Sequence, residues 1–387
     1  MKIVAIVICL FLLRGTIVSV HAAWIVDETD LNEGGSPYEI NPDSEGWLWI
    51  TDYTAGEIWR VHTDTSGYEL YKVEYPGEAN AIHPSDARRS GDHFWWVDGD
   101  IGIIGRANVV DGEYTLWKVE GVNGFYGTAL DASGRLWVSD AIQNKIYSLE
   151  VLSNVSSGNI CTYTLPANSY TYYFASMGEY LWLGDYGNST LIRMSIDDEI
   201  YGTATWELPE FSMPFGLALD GNGHLWYADI IHPVLRELNP DANPNMLRTY
   251  TLPDERIPYM ITALEGNIWY TGYDNSLGVL DPSIAVPNTQ TVTPSIGELE
   301  EICTTITPVP TSEPAHLSSV SGSIGWSQTS YSTLVDENGW KIYSMPLESV
   351  PWGIAFQDRN VYVVDKGRQV LVRLPVYTSV FLPLITR

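Results

Sequence analysis

Six runs that end in Trp-x-x-Asp or a near copy divide this chain into units of about 44 residues, the period of propeller blades. The copies are Trp49-Ile-Thr-Asp52, Trp95-Trp-Val-Asp98, Trp137-Val-Ser-Asp140, Trp182-Leu-Gly-Asp185, Trp226-Tyr-Ala-Asp229 and Trp269-Tyr-Thr-Gly272, with Tyr362-Val-Val-Asp365 as a degenerate seventh. Successive anchors stand 42 to 46 residues apart as far as Trp269, and the step from there to Tyr362 is 93, two units long. A unit is best seen from Pro214: an alternating run to Asp220, a turn at Gly221-Asn-Gly223, a return through Asp229, then strands over 234–238 and 247–252. Period-two alternation, Trp, Tyr and Val enrichment and turn-rich junctions are strand signals, and no stretch sustains a helical period. The expectation is an all-β chain, a seven-bladed β-propeller of four-stranded blades, with strands lettered A to D outward.

The ends decide how the ring closes. The segment Trp24-Ile-Val-Asp27 precedes the first A strand at Pro37 and has no blade of its own, whereas the C-terminal unit from Pro351 supplies only strands A to C. Residues 24–28 are therefore expected to serve as strand D of blade seven, because closure by both chain ends removes exposed sheet edges. The propeller spans 24–375, and an apolar tail occupies 376–387.

Residues 1–22 read as a signal peptide: Lys2, an apolar run from Ile3 to Leu13, and Val20-His-Ala22 before a small residue, with Arg14 interrupting the run. The run is too short for a membrane span. With 48 acidic and 20 basic residues the net charge is −28, and loss of Lys2 and Arg14 with the signal takes it to −30. A secreted protein, extracellular or periplasmic, is expected; the acidity argues against nucleic acid and anionic membranes as partners and favours attraction of cations. A monomer is expected.

Residues 282–336 interrupt blade six between Leu277-Gly-Val-Leu280 (strand C) and Trp340-Lys-Ile-Tyr343 (strand D), which explains the doubled step. From 282 to 322 there is no Lys, Arg or aromatic residue, while Ser, Thr and Pro abound. Such composition cannot bury a core, so a mobile excursion on the face opposite the B-strand ends is expected, and deleting 284–330 should leave melting nearly unchanged. After the signal leaves with Cys9, Cys161 and Cys303 remain; an even pair favours a disulfide in an exported protein, but the two lie on blades that are not neighbours, so the pairing is open.

The face where strands A begin and strands B end is the candidate site, since the A strands meet there at the axis. Fourteen residues separate Tyr38 from Asp52, Tyr126 from Asp140 and Phe215 from Asp229. Tyr259 and Trp352 hold the aromatic position in blades six and seven, and Asn80 takes it in blade two. Tyr38, Tyr126, Phe215, Tyr259 and Trp352 are thus candidate ligand contacts. The interleaved Asp52, Asp98, Asp140, Asp185, Asp229 and Asp365 read first as caps on the B-C turns. Asp52, Asp140, Asp185, Asp229 and Asp365 are also candidate ligands for Mg2+ or Ca2+, hard cations that prefer carboxylate oxygen. Among the histidines, His62, His83, His93 and His224 map to the far face and His316 to the excursion. His232, three residues after Asp229, maps to the mouth, where His232 with Asp229 is a conceivable catalytic pair. Lys366 and Arg368 could draw an anionic group.

Units such as MPFGLALDGNGHLWYADIIHPVLRELNP and NGFYGTALDASGRLWVSDAIQNKIYSLE resemble the repeats of the streptogramin lyase (virginiamycin B lyase) family, with a looser likeness to NHL-repeat propellers. The resemblance covers most of 24–375 outside the excursion and implies a seven-bladed propeller that opens the ester ring of streptogramin B antibiotics by Mg2+-dependent elimination. It also implies a Glu-Pro-His at the start of A in the penultimate blade, a second Glu after it and a His in the preceding blade. The corresponding positions here are Ile257, Tyr259, Gly272 and Phe215. Ile and Gly cannot hold Mg2+, and a phenol or phenyl ring cannot replace imidazole as a near-neutral base. The missing His and Glu favour a non-catalytic module that binds a small molecule, a glycan or a protein at an aromatic and acidic mouth. The alternative is a Mg2+-dependent streptogramin-type C–O lyase, or a metal-dependent lactone hydrolase, with a rearranged site.

Overall fold

The computed structural model describes residues 23–31, 34–73, 75, 82–151, 157–196, 202–253, 255–310 and 315–376. The signal peptide expected over 1–22, Asn80 and nearly all of the apolar tail lie outside them. The described residues are strands and turns, with no helix long and apolar enough to cross a membrane.

Five sheets each contain four consecutive antiparallel strands plus one added from elsewhere, and a nine-stranded sheet holds two further four-stranded units joined through a shared strand. Seven units result. Their A strands are Pro37–Pro42, Pro84–Ser90, Thr128–Leu130, Phe174–Met177, Pro214–Leu219, Pro258–Leu264 and Pro351–Gln357. Each touches the next and the last touches the first, so the units form a closed ring with strands A innermost. Close approach at the axis has a sequence cause. A Cβ on Gly216 would lie 2.5 Å from the Tyr259 carbonyl oxygen, and one on Gly353 2.8 Å from that of Tyr38. Glycine after the aromatic is what lets neighbouring A strands pack backbone to backbone.

Between blades, the Trp of each repeat is core. Trp49, Trp95, Trp137, Trp182, Trp226, Trp269 and Tyr362 are all buried. Several stack on an aromatic of their own strand D, such as Trp49 on Tyr71, Trp182 on Trp206 and Trp226 on Tyr250. In three blades the indole N–H is satisfied by an Asp at the A-B turn: Trp49 by Asp43, Trp137 by Asp131 and Trp226 by Asp220, at 2.9 to 3.1 Å.

The N-terminal strand Ala23–Asp30 closes the ring with a longer reach than the sequence suggests. Its Asp27–Asp30 half pairs with Val370–Arg373 of blade seven, while Ala23–Glu28 pairs on its other edge with Ser327–Ser332. Glu28 is the bolt: it accepts two bonds from the Arg368 guanidinium, at 2.7 and 2.8 Å, and one from the Tyr331 hydroxyl at 2.7 Å.

The segment after blade six is not the loose excursion its composition implies. It runs round the perimeter, visiting the blades in reverse order and adding a strand to the outer edge of each. Asn288–Val292 pairs with strand D of blade five, Ser295–Glu298 with blade four, Glu301–Ile306 with blade three, Ala315–His316 with blade two and Ser318–Ser323 with blade one. Ser327–Glu337 then lies between the N-terminal strand and strand D of blade six. Ser and Thr suffice because β-pairing satisfies backbone groups and needs no side-chain core. The few apolar residues act as pegs: Val292, Leu299, Ile306, Leu317, Ile324 and Tyr331 each join a different inter-blade cluster. Cys161 and Cys303 face each other directly in the blade-three pairing and form a disulfide. The sequence left that bond open because the blades are not neighbours; the belt carries Cys303 to Cys161.

Candidate functional site

The mouth begins with the aromatic that follows the opening proline of most A strands. Tyr38 packs on Trp352 with ring centroids 4.8 Å apart, Trp352 on Tyr259 at 4.5 Å, Tyr259 on Phe215 at 4.8 Å, Phe215 on Tyr172 at 5.4 Å and Tyr172 on Tyr126 at 4.8 Å. The five candidate aromatics are thus brought into one arc, completed by Tyr172. That residue was hidden in the sequence by Tyr170-Thr-Tyr-Tyr173, which has neither the proline that marks Tyr38, Phe215, Tyr259 and Trp352 nor the fourteen-residue spacing that marks Tyr126. The arc breaks at blade two. There the position after the proline is Ser85, not Asn80, and its hydroxyl donates 2.7 Å to the Phe125 carbonyl oxygen instead of presenting a ring.

Beneath the arc lies a buried carboxyl. Glu39, 6 % exposed, follows Tyr38 on the same strand. The Tyr173 hydroxyl and the Trp352 indole N–H both face its carboxyl, and its Oε1 completes no hydrogen bond of full geometry with either. Burial, then the charge of Asp86, pushes the Glu39 carboxyl well above its usual range, against the pull of Tyr173, Arg88 and Trp352. Above, Lys366 Nζ sits 4.4 Å from the Trp352 ring centroid and 5.4 Å from that of Tyr38, and burial lowers its pKa.

The Asp ring is architecture. Asp52, Asp98, Asp140, Asp185, Asp229 and Asp365 are 0 to 2 % exposed, and each accepts backbone N–H bonds from its own B-C turn. Asp52, Asp98, Asp185, Asp229 and Asp365 also clamp the residue that leads into strand A, as in Ser36 N–H to Asp52 at 2.8 Å and Val350 N–H to Asp365 at 2.8 Å. Burial pushes the Asp98 and Asp140 carboxyls up, offset by these backbone bonds. As a metal centre, the set Asp52, Asp140, Asp185, Asp229 and Asp365 fails for a geometric reason. One carboxylate per blade spreads the oxygens round the ring, and among the described residues no three of them come within 4.8 Å of one another. The group that does, Cys161, Glu301 and Cys303, has its sulfurs locked in the disulfide.

His232 and Asp229 do meet, Nδ1 to Oδ2 at 3.1 Å. The same oxygen also takes the Arg236 guanidinium in a buried ion pair, with Ser212 donated to by the same nitrogen at 2.9 Å. Asp229 is therefore spent on a structural cation, and His232 hangs from a carboxylate that serves the fold. Arg368 is likewise committed to Glu28 and Lys366 to the aromatic faces, so neither is set out for an anion. His83 corrects the sequence map. Blade two opens at Pro84, which places His83 at the mouth: its N–H binds Asp98 at 2.7 Å, its ring stacks on Tyr53 with centroids 5.0 Å apart, and its Nδ1 lies 2.6 Å from Asp100. Tyr53 donates to the other Asp100 oxygen at 2.7 Å.

The rim is apolar. Among the large hydrophobics exposed in the described residues, Ile142, Tyr170, Phe211, Ile231, Tyr273, Leu347 and Val350 all stand on B-C turns or on the loops into strands A.

The structure is similar to virginiamycin B lyase from Staphylococcus aureus, with a TM-score of 0.67 at 17 % identity, covering 92 % of this chain and 100 % of that one. A catalytically inactive variant of that enzyme with quinupristin gives 0.66 at 18 % identity, over 92 % and 100 %. A streptogramin B lyase structure gives 0.64 at 19 % identity, over 91 % and 98 %. At these identities the likeness speaks for the propeller fold alone. No curated protein matches the sequence significantly. The sequence profile described as the Virginiamycin B lyase family, however, matches residues 25–297. On that match, which takes in more than half of its length, the chain belongs to the virginiamycin B lyase family.

Proposed function

We propose that this protein is an exported, non-catalytic ligand-binding propeller that works as a monomer through its aromatic mouth. The unbroken arc from Tyr38 through Trp352, Tyr259, Phe215 and Tyr172 to Tyr126 carries the reading. Six blades each contribute a ring at or just before strand A, five of them half-buried and Phe215 buried behind them, and exposed apolar side chains stand on the surrounding rim, the composition of sites that hold ring-bearing ligands. The positions where the family's chemistry would stand are filled by Ile257, Tyr259, Gly272 and Phe215, which offer neither a metal ligand nor a near-neutral base. The Cys161–Cys303 disulfide supports export. Calorimetry with quinupristin as a probe tests the reading: binding without ring opening, lost in Trp352→Leu, is the expected result. Binding unaffected by Trp352→Leu and Tyr259→Leu would remove the mouth from the account.

A rearranged catalytic site is the second reading, favoured by one pair. His83, oriented by Asp100 at 2.6 Å beside the gap in the arc, has the arrangement of a general base and its orienting carboxylate. Mass spectrometry of quinupristin incubated with Mg2+ decides: a ring-opened product that disappears in His83→Gln would establish it, and an intact ring would dismiss it.

A further inference from the structure

We propose that the mouth is a seat for an organic cation, an alkylated ammonium group held against the faces of Trp352 and Tyr38 with Glu39 as the buried counter-charge. The inference rests on the mouth being the binding surface and names what it binds.

Three observations on different elements converge. The first is that a cation already occupies the seat. Lys366 comes from the B-C turn of blade seven, and among the described residues no carboxylate pairs with it. Its ammonium rests instead over Trp352 at 4.4 Å and Tyr38 at 5.4 Å. Ring faces carry negative potential and hold a desolvated cation there. The second is the carboxyl beneath. Glu39, the residue after Tyr38, is buried, and its Oε1 completes no hydrogen bond of full geometry although the Tyr173 hydroxyl and the indole of Trp352 itself face the carboxyl. An unsatisfied buried carboxyl is costly, and a ligand cation is the partner that would ionise it. The third is the field. The chain carries a net charge of −28, and at the gap beside Ser85 the half-exposed Asp100 adds a carboxylate to the rim. Such a field draws cations and repels anions.

Ammonium with alkyl substituents fits better than a metal ion. The walls are rings rather than oxygens, and the single carboxyl cannot complete a hard-cation shell. A hydrated inorganic cation would also lose its water to apolar faces, whereas methyl groups on nitrogen gain by burial there. Lys366 is the competitor that a ligand must displace, and burial already disfavours its charged form.

Proton release should accompany binding. The titratable and charged groups facing Glu39 are Asp86 and Arg88 from blade two, Tyr38 from its own strand, and Tyr173 and Tyr259 from blades four and six. Burial and Asp86 favour the neutral acid, so an arriving cation must expel its proton, and affinity should rise with pH.

The test is calorimetric titration of choline into the full chain and its variants, with 3,3-dimethylbutan-1-ol, the uncharged carbon isostere, alongside. Lys366→Ala vacates the seat and should bind choline about tenfold more tightly than the parent. Glu39→Gln placed in that background should lose about tenfold and flatten the pH dependence, and Trp352→Leu should lose as much. The alcohol should bind about tenfold more weakly than choline. If Lys366→Ala binds the alcohol as well as choline, the mouth remains a binding surface and the cation assignment is wrong. If Lys366→Ala binds no choline while the parent still binds quinupristin through Trp352, the assignment is again wrong and the mouth stands. If neither choline nor quinupristin binds any folded variant, both fail together.

Discussion

The inner wall and the outer belt each run round the axis, yet one is made of aromatic side chains and the other of Ser, Thr and Pro. Along the inner wall six blades spend a Trp on the core and the seventh spends Tyr362, six spend an Asp on the B-C turn where blade six has Gly272, and six set a ring on the mouth. The belt spends almost nothing on side chains. It adds backbone pairing to edges that strands D would leave open, and its six pegs enter six of the seven inter-blade clusters. Closure by side-chain burial leaves a strong compositional trace, and closure by backbone pairing leaves a faint one.

That difference can be tested by removal. Replacing residues 288–333 with a short turn from strand C to strand D of blade six should lower the melting temperature by more than about 10 °C, because pairing at every blade and one flank of the N-terminal strand disappear together. An unchanged melting curve would restore the loose excursion expected from composition. A single peg is the next size down. Tyr331→Ala removes a side chain 1 % exposed and a hydroxyl bound to Glu28, and urea unfolding should register a loss of about 3–4 kcal/mol. A loss under about 1 kcal/mol would mean that the belt clings by backbone alone.

Opening the disulfide should cost about 2–4 kcal/mol, read as a fall in stability in Cys303→Ser or under reductant. The bond ties belt to blade across 142 residues, so retention of full stability would show that strand pairing alone fixes the belt. Smaller again is the bolt at the clasp. Burial alone would raise the Glu28 carboxyl, but the Arg368 fork, the Tyr331 hydroxyl and the guanidinium charge outweigh it and hold the group below its usual 4.5. The stabilisation is therefore complete above that value and fades as pH falls through the lower value of the folded state. Glu28→Gln should cost about 2 kcal/mol at neutral pH, with the gap to the parent closing in acid. A gap independent of pH would rule out the charge.

The ring was legible because every blade repeats the same burial problem. Trp-x-x-Asp states it outright: one indole for the core, one carboxylate for the turn. The mouth aromatics were legible where a proline marks the start of A, as at Pro214-Phe215 and Pro351-Trp352, or where the fourteen-residue spacing holds, as from Tyr126 to Asp140, and Tyr172, which has neither, was missed. In blade two the spacing ran astray, so His83 was assigned to the far face and Asn80 to the position that Ser85 holds. The belt was concealed by its polarity, although a signal existed: Val292, Leu299 and Ile306 stand seven residues apart, as do Leu317, Ile324 and Tyr331. One peg per blade is a period a search for cores overlooks. The partners of a buried carboxylate, such as Arg236 on Asp229, come from long-range packing that spacing does not encode.

The central claim is a division of labour at the mouth: the ring of Asp carboxylates holds the fold and the aromatic rings hold the ligand. Thermal unfolding and quinupristin calorimetry on the same two variants test it directly. Asp229→Asn should unfold well below the parent, by about 3 kcal/mol from the stranded Arg236, while folded protein keeps its affinity within about twofold. Trp352→Leu should do the reverse, losing affinity by tenfold or so with the smaller change in melting. Loss of binding in Asp229→Asn at an unchanged melting temperature would contradict the account.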